Sequence, residues 1–75
     1  MKRYKNISGD AGVYAYTAGR DRITIQFNDS SVYLYNYAIT GKEKVEEMKR
    51  LAEAGKGLTT FINQHVRDQY AEKIS

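Results

Sequence analysis

The most regular pattern in the chain is Arg22-Ile23-Thr24-Ile25-Gln26-Phe27, where Ile23, Ile25 and Phe27 alternate with Arg22, Thr24 and Gln26. Successive side chains of a strand point to opposite faces, so this stretch predicts a strand with one buried and one solvated face. Tyr14 and Tyr16 alternate with smaller residues over 13–18, and Tyr33, Tyr35 and Tyr37 occupy every second position of 32–37, the same period of two. Gly19-Arg20-Asp21 and Asn28-Asp29-Ser30-Ser31 are clusters of turn formers between these runs. An antiparallel three-stranded meander follows.

The face on which the tyrosines lie depends on the second turn. A two-residue turn centred on Asp29 and Ser30 sets Phe27 opposite Val32 and Ile25 opposite Leu34, leaving Tyr33 and Tyr35 on the polar face. A three-residue loop shifts the register by one and sets Tyr33 and Tyr35 opposite Phe27 and Ile25 in the core. The two-residue turn is the favoured expectation, because it keeps the apolar faces of both strands together. The 13–18 strand has the same ambiguity, and neither Tyr14 nor Tyr16 is assigned a face.

Beyond the strands the period changes. Thr40-Gly41-Lys42-Glu43 has the spacing of a capping box, and Val45, Met48, Leu51 and Ala52 follow at helical intervals up to a stop at Gly55. Glu46 with Arg50 and Lys49 with Glu53 are expected as i,i+4 ion pairs on the outer face. After Lys56-Gly57, Thr59 or Thr60 can cap a second helix running to about Ala71, with Ile62, Val66 and Tyr70 as its buried stripe. Asn63 and Arg67 then share one flank of that stripe, beside Tyr70. Residues 1–11 read as a basic, flexible lead-in, 12–71 as the domain, and 72–75 as a frayed end.

Composition narrows the function more than the fold. Seventy-five residues support one domain with a small core. The chain has no cysteine and a single histidine, His65, which argues against a disulfide framework, a zinc cluster or another metal site. The basic start is followed by Ser8-Gly9-Asp10 rather than an apolar run, and no stretch approaches the roughly 20 apolar residues of a membrane helix, so a cytoplasmic location without membrane contact is expected. The net charge is +3. Lys2, Arg3 and Lys5 against Asp10, together with Lys56, account for all of it, since the remaining charges cancel locally. No long basic stripe is visible in the sequence.

Catalytic constellations are missing: there is no phosphate-binding glycine loop, no carboxylate pair apart from the helical ion pairs, and no nucleophile in an elbow. His65 is better explained as a partly packed side chain than as a base. The expectation is a protein that is not an enzyme and needs no cofactor. Tyrosines on a small sheet with arginines nearby are how several single-strand RNA binders stack bases and hold phosphates. Tyr33 and Tyr35 could stack bases, with Arg22, Lys56, Asn63 and Arg67 as the polar and phosphate contacts. The same face could dock another protein, and tyrosine is also efficient core volume with its hydroxyl at the rim.

The ordered set Tyr16, Ile23-Thr24-Ile25-Gln26-Phe27, Val32-Tyr33-Leu34-Tyr35, Gly57 and Asn63 to Tyr70 resembles the KTSC domain. This short module is named for its occurrence at the C-terminus of some lysyl-tRNA synthetases and also stands alone as a small bacterial protein. Its Tyr-x-Tyr mark is matched by Tyr33 and Tyr35, and the resemblance spans about residues 8–70. Ile39-Thr40 departs from the family's valine-proline pair, and Gly55 replaces a serine before the linker glycine, which weakens any hydroxyl-based ligand contact there. Association with a tRNA synthetase implies RNA as a partner. The expected fold is therefore α+β, a three-stranded antiparallel meander followed by two helices packed on one face (β-β-β-α-α). The expected function is a non-catalytic RNA-binding module, the alternatives being a protein-interaction module or a structural accessory domain whose tyrosines are core. The oligomeric state is not legible in the sequence.

Overall fold

The computed structural model describes residues 1–7, 9 and 12–75; the part of the lead-in formed by Ser8, Asp10 and Ala11 lies outside the described residues. The domain is α+β, with an antiparallel sheet of five strands in the order β1-β2-β3-β4-β5. The strands are β1 (Lys2–Arg3), β2 (Val13–Ala18), β3 (Arg22–Phe27), β4 (Val32–Asn36) and β5 (Glu72–Lys73). Between β4 and β5 the chain forms α1 (Lys42–Ala54), the short α2 (Leu58–Phe61) and a π-helical turn, Ile62–Val66.

The meander and the first helix follow the hydrophobic pattern, but both ends of the chain depart from it. Lys2–Arg3 pairs with β2 rather than forming a lead-in, and Tyr4 beyond it is buried. Glu72–Lys73 pairs with Tyr33 and Leu34 rather than fraying. The second helix does not reach Ala71: regular α geometry ends at Phe61 and the π-helical turn ends at Val66. Ile62 and Val66 are buried as the stripe requires, whereas Tyr70 lies past the helical turns and is 37% exposed.

The hairpin between β3 and β4 puts the tyrosines inside. Phe27 N–H donates to the Ser31 carbonyl (2.8 Å) and Ser30 N–H to the Phe27 carbonyl (2.9 Å), closing a three-residue loop. Ser30 takes the single left-handed conformation that such a loop needs, φ 74°. The Asp29 carboxylate holds it by accepting from Ser31 N–H (3.0 Å) and the Ser31 hydroxyl (2.6 Å). The favoured two-residue turn would require positive φ at Asp29, and in its type I′ form at Ser30 as well, and neither residue is glycine. The resulting register pairs Tyr33 with Ile25 and Tyr35 with Ile23, on the core face. These partners lie one pair further along than the three-residue alternative supposed, but the parity is the same. A bulge between Val13 and Ala15 settles β2 similarly: Tyr14 has no partner of its own and faces out, while Tyr16 is buried.

One core forms between the sheet and the helices, from Tyr4, Val13, Tyr16, Ile23, Ile25, Tyr35, Val45, Met48, Ala52, Leu58, Ile62 and Val66. Each fully buried aliphatic side chain contributes roughly 1.5–3 kcal/mol. The capping box does not form. Gly41 precedes α1 without a side-chain cap, and the Thr40 hydroxyl instead donates to the Gln69 carbonyl (2.5 Å), tying the β4–α1 corner to the segment before β5. Thr59 likewise caps nothing; its Oγ1 accepts from Gly12 and Val13 N–H (3.1 and 3.4 Å). The outer face of α1 is laced by i,i+3 pairs, Lys49 with Glu46 (2.8 Å) and Arg50 with Glu47, in place of the expected i,i+4 pairs.

Candidate ligand-binding cleft

Where the β3–β4 hairpin meets the helical segment, the domain holds a cleft of about 660 Å³, within the usual size of ligand sites. Its sheet wall is Phe27 with Tyr33 and Tyr35, and its opposite wall is Ile62, Asn63, Arg67, Asp68 and Tyr70. Gly12, Asn28, Asp29 and Ser31 complete the rim. The three-residue loop creates this site, because it turns Tyr33 and Tyr35 toward the helices. The π-helical turn carries Asn63 and delivers Arg67 immediately after it.

The two tyrosines have different surroundings. Tyr35 is only 2% exposed, so its ring is core, and no base can stack on it. Tyr35 lines the cleft, and its hydroxyl has no hydrogen-bond partner among the described residues and is not fully enclosed. Burial above all, then the Tyr33 and Tyr70 phenols, push its pKa up to about 12. Tyr33 is partly buried, with its ring edge-on to Phe27 (5.7 Å between centroids) and to Tyr70 (4.7 Å). Lys73 Nζ lies 5.8 Å from its centroid. The exposed tyrosine platform is thus not what the fold presents: the strand's aromatic face is the cleft's inner wall.

Arg67 is exposed on the opposite wall and makes no ion pair or hydrogen bond among the described residues, nor does Asn63. The negative groups are Asp68 and Asp29, the latter held below the usual carboxylate range by the Ser31 hydroxyl and amide. Of the six residues singled out from the sequence, Tyr33, Tyr35, Asn63 and Arg67 line this cleft, and Arg22 and Lys56 do not. Arg22 sits opposite Asn36 with its Nε 3.0 Å from Asp21 Oδ1, and Lys56 is exposed in the α1–α2 connector.

Phe27, Asp29, Asp68 and Tyr70 were not anticipated as site residues. Asp29 reads in sequence only as a turn former, and Asp68 only as the charge that cancels Arg67. Tyr70 reads as core because the helix was expected to continue. Chemically, the cleft offers ring edges and faces, one guanidinium and two carboxylates, amide groups and a phenol. His65 stacks near Phe61 (4.7 Å) rather than lining the cleft. No group of three His, Cys, Asp or Glu able to hold a metal occurs among the described residues, and no helix there is long and apolar enough to cross a membrane. Comparison with protein-family models, curated proteins and solved structures returns no match.

Proposed function

We propose that the domain is a non-catalytic binding module for single-stranded RNA, working in the cytoplasm, in which the cleft takes one unstacked base at a time. The base lies against Tyr70 and the edge of Tyr33, Tyr35 Oη and Asn63 meet its polar edge, and Arg67 holds an adjoining phosphate. The observation that carries this reading is the meeting of two unpartnered polar groups, the Tyr35 hydroxyl and the Arg67 guanidinium, in one cleft walled by aromatic rings. The KTSC-like order of motifs supports the same partner.

Fluorescence anisotropy with a short labelled oligouridylate tests it. Binding is expected at low salt and weakens as salt rises. Tyr70→Ala should weaken it roughly 5- to 150-fold, the value of one base–aromatic stack. Arg67→Gln should weaken it and flatten the salt dependence. No binding at low salt refutes the reading. Asp29 and Asp68 on the same walls favour a second reading, in which the occupant is a protein segment bearing a lysine or arginine. Nuclease-insensitive capture of one protein partner, lost on Asp68→Asn, would support that instead.

A further inference from the structure

Folding gathers four of the chain's 12 Lys and Arg side chains on one edge of the sheet. Lys2, Arg3 and Lys5 run along β1 and just beyond it, and Lys56 joins them from the α1–α2 connector. Two contacts bring the connector there. Ile7 N–H donates to the Gly55 carbonyl (2.7 Å), and the Lys5 stem packs so closely on Gly55 that a Cβ at that position would lie 2.7 Å from Lys5 Cβ. Among the described residues, Glu53 is the carboxylate that meets this cluster, through Lys2.

The edge charges are also little engaged. Lys2 meets Glu53 only at 3.9 Å with both side chains largely exposed, a pairing of small energetic value. Lys5 and Lys56 have no partner among the described residues. The Arg3 guanidinium lies over the Tyr14 ring, 4.4 Å from its centroid, and Tyr14 is 40% exposed. Because Tyr14 is the bulge residue of β2, it faces away from the core and presents an exposed aromatic ring beside Arg3. Clustered, weakly engaged cations with an exposed ring complement a flexible polyanion whose bases can stack.

Resting on the RNA reading, we infer that the β1 edge, Lys2, Arg3, Lys5 and Lys56 with Tyr14, is the phosphate track of the domain, and that the cleft is its base site. The track supplies most of the affinity and most of its salt dependence, Arg67 adds one further phosphate contact, and the cleft supplies selectivity. On a single strand each phosphate contact contributes a slope of about −0.7 in log Kobs against log salt, so four contacts give about −3.

The test is the salt dependence of oligouridylate binding for the wild type, Lys5→Gln/Lys56→Gln, Lys5→Arg/Lys56→Arg and Arg67→Gln. The Gln pair should reduce the slope by about 1.4 and weaken binding at least tenfold at low salt, while the charge-keeping Arg pair should restore both. If the wild type binds and the Gln pair matches it, the track is overturned and the cleft reading stands. If the Gln pair loses binding while Arg67→Gln does not, the track stands and the cleft fails. Wild type that ignores RNA but binds phosphatidylserine vesicles overturns the track as a nucleic-acid surface. If the Gln pair keeps the RNA slope and self-associates, the lysines guard a sheet edge, and the track is likewise overturned.

Discussion

Two buried tyrosines allow the same substitution to have opposite consequences. Tyr4 and Tyr35 are 5% and 2% exposed, and both rings belong to the core. The Tyr4 hydroxyl accepts the Leu58 N–H (3.2 Å), one of the orphan donors at the start of α2. The Tyr35 hydroxyl has no partner among the described residues. Tyr4→Phe therefore strands a buried amide, at a cost of about 1–3 kcal/mol, whereas Tyr35→Phe removes no hydrogen bond and should stay within about 0.5 kcal/mol of wild type. In a domain of this size each kcal/mol moves Tm by about 4–8 °C, so Tyr4→Phe should melt roughly 4–24 °C lower and Tyr35→Phe should stay within about 4 °C of wild type. Urea unfolding followed by circular dichroism gives the free energies directly, provided the m-values of the three proteins agree. The reasoning is refuted if Tyr4→Phe is as stable as wild type, or if Tyr35→Phe loses as much as Tyr4→Phe.

Other substitutions probe the joints of the fold. Thr40→Val should cost about 1–2 kcal/mol in urea unfolding, because the Gln69 carbonyl loses the buried Thr40 hydroxyl, and Thr40→Ser should recover most of it. Gly55→Ala should cost at least 1–2 kcal/mol by the same measure, since Gly55 closes α1 at φ 79° and its new Cβ would press on Lys5. The raised pKa of Tyr35 makes stability depend on alkaline pH: the stabilisation is whole below the unfolded tyrosine pKa of about 10 and disappears as pH climbs toward about 12. Urea midpoints at about pH 9 and pH 11 should fall more for wild type than for Tyr35→Phe.

The middle of the chain was legible because its signals are periodic. Ile23, Ile25 and Phe27 give β3 to the residue, and Val45, Met48 and Ala52 give the buried face of α1. β1 and β5 were not legible, since a two-residue strand has no period to detect, and both form only because a neighbouring edge offers free backbone groups. The face of Tyr33 and Tyr35 turned on one loop residue, Ser30, whose positive φ carries no sequence mark as strong as glycine. Thr40 and Thr59 look like local caps but bond across the fold, to Gln69 and to Gly12 and Val13. Tyr33, Tyr35, Asn63 and Arg67 line one cleft, but Tyr70 reaches it from beyond the helical turns and not from the helical stripe that the pattern predicts. Arg22 and Lys56 stand out in the sequence by charge alone, and charge has no period that places a side chain on a face.

The strand order also sets how the domain moves. β2, β3 and β4 join through short turns and can pair early, whereas β5 reaches β4 only after α1, α2 and the π-helical turn have been laid down, the costliest loop closure in the sheet. Its hold is brief: Ala71 and Ile74 N–H donate to the Leu34 and Val32 carbonyls (2.7 Å each), and Val32 N–H donates to the Ser75 carbonyl (3.0 Å). A two-residue edge strand is a low-stability unit, and local release of β5 should carry Tyr70 away from Tyr33. The cleft thereby gains a door whose opening does not require the core to melt, and amide exchange at Ala71 and Ile74 should run ahead of that at Ile23 and Ile25.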